Sequence, residues 1–142
     1  MKILFIAMAE SIHVARWIKQ LEGCDWDLHL FPSRDVSTQH WNSELTGVTV
    51  HTSTTQWKVP QRNVKSKGWR LPPLSSSANV LIEASVRKIF QIYRPQYWHK
   101  YLARVINRVQ PDVIHIIEFQ HAGYLMLDAL PYIKVPIPKI IL

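Results

Sequence analysis

The sequence predicts an α/β fold, a mostly parallel, doubly wound sheet with helices on its faces, and three observations carry that expectation. Two apolar runs of strand length, Lys2 to Met8 and Asp112 to Ile117, are each followed by a polar turn and then by apolar residues at helical spacing. A third apolar run opens at Lys139 after a proline-bounded stretch, Pro131 to Pro138. Alternating strands and helices joined by short turns favour parallel pairing, because a parallel neighbour needs a crossover and the helix supplies it.

Taken in order, Lys2 to Met8 is almost wholly apolar, the pattern of a strand buried on both faces. Ser11 then precedes Ile12, Ala15, Ile18 and Leu21, and Gly23 stands just past that helical series as a stop. Asp25 to Phe31 reads as a second strand ended by Pro32, and Val48 to His51 as a short third strand entered through Gly47. From Thr52 to Ser77 the chain carries Pro60, Gly68, Pro72, Pro73 and three consecutive serines without an apolar period. That stretch is expected to stay out of the core, as a functional lid or a locally disordered loop. Two helices follow it. One has Ile82, Val86, Ile89, Phe90 and Tyr93 on a stripe and breaks at Arg94-Pro95, since the residue before proline disfavours helical geometry. The other has Trp98, Tyr101, Leu102, Val105 and Val109 and is closed by Pro111. Beyond the strand Asp112 to Ile117, the residues Ala122, Leu125, Met126, Ala129 and Leu130 form a last helical series, and Lys139 to Leu142 reads as the opening of a further buried strand.

A chain of 142 residues, 47% of them hydrophobic, supports one domain with a real core over residues 1–142. Because a domain seldom ends inside its sheet, the natural chain is expected to continue past Leu142. Only Ile3 to Ala9 separate Lys2 from Glu10, too few uncharged residues for a signal-peptide core with its cleavage site or for a membrane span, so a cytosolic location is expected. Cys24 is the sole cysteine, which excludes an intrachain disulfide and a cysteine metal cluster. A buried, inert thiol is the expectation there.

In open parallel sheets ligands bind outside the carboxyl ends of the strands, near the point where strand order reverses. On that rule two turns matter. The first, after strand one, holds Ala9, Glu10, Ser11, His13 and Arg16; the helix opening near Ser11 offers unpaired amides and a positive dipole end that suit a phosphate or carboxylate. Ser11 serves equally as a helix cap, and His13 and Arg16 as a solvated helix face. The second turn holds Glu118 and His121 at three-residue spacing, where both side chains can address one site and a carboxylate can orient an imidazole for proton transfer or for binding a sugar hydroxyl. His115 lies within an apolar strand and reads as a core or rim histidine ahead of a ligand. With no third ligand to place, no metal is expected. No Gly-X-Gly-X-X-Gly follows strand one and no phosphate-loop pattern occurs, which removes the usual support for dehydrogenase and kinase functions.

Lys2-Ile3-Leu4-Phe5-Ile6 leading to Ser11-Ile12-His13-Val14-Ala15-Arg16-Trp17, together with Pro111-Asp112-Val113-Ile114-His115-Ile116-Ile117-Glu118-Phe119-Gln120-His121-Ala122-Gly123-Tyr124-Leu125, resembles the amino-terminal domain of family 4 glycosyltransferases. The resemblance spans most of the chain and is best in these two blocks. It implies a Rossmann-like domain, the amino-terminal half of a GT-B fold, that binds the acceptor across a cleft from a second domain. That second, carboxy-terminal domain would bind the nucleotide-sugar donor and is absent from these residues. The implied reaction is transfer with retention of configuration to a saccharide or lipid-linked acceptor. It needs no metal or other cofactor, because basic side chains and helix amides stabilise the leaving phosphate. Carried over by position, Ala9, Glu10, Ser11 and His13 would line the cleft near the sugar-phosphate, with Arg16 and His115 as further binding residues, and Glu118 and His121 would contact the acceptor or the reacting sugar. Two departures stand out: the first turn lacks the glycines of many members, and Ile117 stands where many have a histidine. The second leaves His121 or His115 to supply any imidazole, and His121 is the expected one.

The net charge of +7 is concentrated in one block, since Lys58 to Arg108 holds eleven basic residues against Glu83 alone. Lys100, Arg104 and Arg108 recur every fourth residue on a helix whose other face is apolar, and Lys58, Arg62, Lys65, Lys67 and Arg70 precede it. Such a surface suits an anionic membrane, as a peripheral contact on its inner face, or an anionic acceptor; an ordinary solvated helix face is the plain alternative. Trp57 and Trp69 would stack on a sugar or dip into an interface. Nucleic acid is disfavoured because no nucleic-acid-binding motif accompanies the charge. The rival to a transferase half is a non-catalytic, flavodoxin-like binding module with a basic surface. A receiver version of it is disfavoured, because strand one ends in Met8-Ala9-Glu10 without an aspartate pair.

Overall fold

The apolar amino-terminal run forms β1 (Lys2–Ala7), and every residue from Ile3 on is buried. Its alternation splits it between two cores: Leu4 and Ile6 point to one face of a sheet, Ile3, Phe5 and Ala7 to the other. A strand wanted on both faces has no use for a polar position, and this one has none after Lys2. In the computed structural model of the chain, residues 1–34, 43–55, 65–70 and 96–142 are described, with the helical positions 78, 81, 82, 85, 88 and 89.

The remaining strands are β2 (Asp27–Pro32), β3 (Thr49–Thr55), β4 (Lys65–Arg70), β5 (Val113–Ile116) and β6 (Lys139–Ile141). They make one sheet in the order β4-β3-β2-β1-β5-β6, with every pairing parallel. The chain therefore builds outward from β1 on one side, then returns to β5 and builds outward on the other. Helix α1 (Ile12–Lys19) covers one face with Val14, Ala15 and Ile18. Helices α2 (Tyr97–Val109) and α3 (Tyr124–Ala129) cover the opposite face, α2 through Leu102, Ala103, Val105, Ile106 and Val109 and α3 through Leu125, Met126 and Ala129. Each large side chain sealed in these layers contributes about 1.5–3 kcal/mol by leaving water. The doubly wound α/β expectation holds in this architecture.

The end of α2 follows from its sequence. Gln110 turns into the left-handed region at φ 50° and its N–H still donates to Ile106 O at 2.8 Å, after which Pro111 cannot continue the helix. Lys2 Nζ donates to Val109 O at 3.2 Å and Lys2 N to Asp112 Oδ2 at 2.7 Å, so the end of α2 is fastened to the start of β1. After β5 a π-helical turn, Phe119–Gly123, leads into α3, and a 3-10 turn, Leu130–Tyr132, leaves it.

Four expectations are corrected. The stretch from Thr52 contributes to the sheet, because β3 runs on to Thr55 and Lys65–Arg70 pairs with it as the edge strand β4. An edge strand is held by backbone hydrogen bonds and needs no apolar period. Cys24 is exposed, because it lies in the turn that leaves α1 just after Gly23, whose φ is 91°. β6 forms where expected but is exposed along its length, being an edge strand that no helix covers among the described residues. Ile82 and Ile89 are helical yet exposed, so they do not face the core. Val86, Phe90, Tyr93, the Arg94-Pro95 break, Trp57, Lys58 and Arg62 lie outside the described residues.

Beneath α2, β2 and β3 bury two histidines side by side. His29 Nε2 lies 3.1 Å from Asp27 Oδ2, and His29 Nδ1 lies 3.0 Å from His51 Nε2. A carboxylate accepts only, so His29 carries its proton on Nε2 and accepts at Nδ1, and His51 donates from Nε2. His51 Nδ1 is then an acceptor, buried and without a partner.

Candidate functional site

Three strand ends meet where the strand order reverses. Ser33 N donates to Ala7 O at 2.9 Å, carrying the β2–β1 ladder one residue past Pro32, and Ile117 N donates to Ile6 O at 3.3 Å on the other side. The first residues beyond β2 and β5 are thereby set on either side of the end of β1. Trp98 fixes the end of β2 from above, its Nε1 donating to Pro32 O at 3.2 Å and its ring lying 4.6 Å from that of Phe31.

Two side-chain pairs bridge this crevice. The buried Ser33 hydroxyl donates to Glu118 Oε1 in a short hydrogen bond. Arg34 Nη2 stands 2.6 Å from His121 Nε2. A guanidinium has donors only, so Nε2 accepts and the ring proton of His121 sits on Nδ1. Glu118 and His121 therefore do not pair with one another; each is oriented by a residue just past the end of β2. The reason is local: Glu118 still has extended backbone, while His121 already lies in the π-helical turn. Phe119 and Tyr124, both largely exposed, form an aromatic pair at 5.9 Å beside them.

The turn after β1 contributes less. Ala9 is buried in the α1-side core, and Ser11 N closes the turn on Met8 O at 3.1 Å. Ser11 occupies the N-cap position with extended backbone, φ −79° and ψ 126°, but its hydroxyl makes no capping bond. Glu10 is half-buried and its Oε2 has no hydrogen-bond partner, a carboxylate oxygen out of water with its capacity unused. His13 is exposed, and Arg16 is drawn to the surface by Glu44 at 3.5 Å. His115 stands apart from the crevice, on the α1 side of the sheet, with the Phe5 ring at 5.6 Å and the Trp17 ring edge-on at 5.9 Å. Burial there holds its pKa below the ordinary histidine value. Lys65 and Lys67 are exposed on β4, and Lys100, Arg104 and Arg108 on the solvent side of α2.

Ser33 and Arg34 escaped the sequence reading. The rule that ligand sites gather beyond strand carboxyl ends applies to β2 as well as to β1 and β5, and the polar pair directly after Phe31-Pro32 was the available signal. Among the described residues no three His, Cys, Asp or Glu side chains are placed to share a metal ion, and no helix is long and apolar enough to cross a membrane.

Residues 2–71 match the glycosyl transferase 4-like family. The match takes in β1 through β4 and with them Glu10, Ser33 and Arg34, and it ends before Glu118 and His121. No curated protein and no solved structure matches the chain. The six-stranded parallel sheet with helices on both faces is the Rossmann-like arrangement of a GT-B amino-terminal half. Residues 2–71 are thus a glycosyl transferase 4-like domain.

Proposed function

We propose that the crevice at the ends of β1, β2 and β5 binds the acceptor of a retaining glycosyl transfer, a saccharide or lipid-linked saccharide. The sugar would come from a nucleotide-sugar held by a second domain that these 142 residues do not contain. One observation carries the reading: Glu118 and His121, from one side of the strand-order reversal, are each held by a residue from the other side, Ser33 and Arg34. A carboxylate accepts from sugar hydroxyls and an imidazole with its proton on Nδ1 donates to them, so the two present complementary hydrogen-bonding groups. The exposed rings of Phe119 and Tyr124 offer flat apolar faces suited to the C–H face of a sugar ring. On this reading Glu118 and His121 act on the acceptor hydroxyl, while stabilisation of the leaving phosphate falls to the other domain.

The test is saccharide binding to the chain followed by NMR, with and without Glu118→Gln and His121→Ala. Shifts clustered at Ser33, Arg34, Glu118 and His121, weakened in both variants, support the assignment; binding indifferent to both sinks it. Turnover of a nucleotide-sugar by the chain alone would overturn the claim that catalysis needs a second domain.

A further inference from the structure

We propose that the groove between the solvent side of α2 and residues 131–134 is a binding site for a discrete phosphate-bearing ligand, separate from the crevice and independent of the glycosyl-transfer reading. The groove encloses about 640 Å³ and is lined by Lys100, Arg104, Asn107, Arg108, Tyr132 and Lys134, with Pro131 at its edge. Four of these are cations and none is an acid. Among the described residues no carboxylate pairs with any of the four, so no neighbouring acid offsets their mutual repulsion. The groove lies on the solvent side of α2, whose buried side packs on the sheet.

The far wall is built rather than draped. Asn107 Nδ2 donates to Tyr132 O at 3.2 Å, and Asn107 Oδ1 accepts from Lys134 N at 2.7 Å and from Val135 N at 3.3 Å. Tyr132 Oη donates to Gln96 Oε1 at 3.0 Å, and Lys100 Nζ sits 5.1 Å above the Tyr132 ring. One side chain therefore holds the wall at a fixed distance from the helix that carries the cations. Arg104 and Arg108 are one helical turn apart, about 5–6 Å, so both guanidinium forks reach a single diphosphate. The surface is concave and its only apolar elements are Pro131 and the Tyr132 ring, which suits a discrete anion better than a flat bilayer that must be entered by a convex apolar face.

The experiment is calorimetric titration of the full chain with pyrophosphate, at low and high salt, for the wild type, Arg104→Gln/Arg108→Gln and the control Lys19→Gln on α1. Circular dichroism checks that the exposed substitutions leave the fold intact. Saturable binding is expected that weakens with salt, falls by about tenfold or more in the double variant and is unchanged in Lys19→Gln. No saturable binding, or binding equal in the double variant, overturns the proposal. So does sedimentation with phosphatidylglycerol vesicles that requires Arg104 and Arg108 while pyrophosphate fails to compete, because the groove is then a membrane contact.

Discussion

Acid should destabilise this protein through one buried histidine, and the size of the effect follows from its surroundings. His51 is 1% exposed, and its Nδ1 lone pair faces no donor, so a proton added there finds neither water nor an acceptor. Burial is the main cause that lowers its pKa from 6.5 to about 3; electrostatic interaction with His29, Lys67 and Arg108 pushes the same way, and Asp27 opposes them. A depressed folded value means that stability is fully present above pH 6.5 and is lost as pH falls toward 3. Between pH 7 and pH 5 the unfolded chain protonates this ring and the folded chain does not. At 1.36 kcal/mol per pKa unit, about 2 kcal/mol of stability should disappear over that window. Urea denaturation at the two pH values measures it, with His51→Gln as the reference, since glutamine keeps an N–H donor for His29 and cannot titrate. His115, also lowered by burial, adds a loss of the same sign that both proteins share. Parallel losses in wild type and His51→Gln would refute the argument.

Three further outcomes are expected. Ser33→Ala leaves Glu118 without its hydroxyl donor and should lower stability by about 1–2 kcal/mol in thermal unfolding. Gly68→Ala places a Cβ 2.4 Å from Thr52 O, so β4 must separate from β3; hydrogen exchange should show protection lost along Lys65–Arg70 while β1 and β2 remain protected, at a cost of about 1–3 kcal/mol. Asn107→Ala removes three hydrogen bonds to residues 132–135 and should destabilise by about 2 kcal/mol in denaturant, weakening pyrophosphate binding although Asn107 carries no charge.

What could be read in advance was whatever the two periodicities encode. β1 announces itself because burial on both faces leaves only apolar residues from Ile3 to Ala7, and α2 because its inner positions recur at helical spacing. β4 could not be read this way. Lys-Ser-Lys-Gly-Trp-Arg has no apolar face, and its place in the sheet comes from main-chain bonds and from Gly68, which alone allows the close approach to Thr52. The His29–His51 pair was hidden for a related reason: the residues are 22 apart, and only strand register sets them side by side. Glu118 and His121 could be picked out as neighbours in sequence, but their partners lie just past β2, more than 80 residues earlier, so the pairing depends on topology.

The exposed edge of the sheet at β6 has a consequence for how the molecule behaves among copies of itself. Ile140 and Ile141 are 37% and 39% exposed on a strand bonded on one side to β5 and unpaired on the other among the described residues, the geometry that seeds strand addition and aggregation. The residues leading into it counter that hazard. Pro136 and Pro138 lack the N–H groups that an incoming strand would need, and Lys139 adds a charge at the threshold. The Val135-Pro136-Ile137-Pro138-Lys139 segment thus acts as a gatekeeper, letting the edge stay apolar without becoming a template.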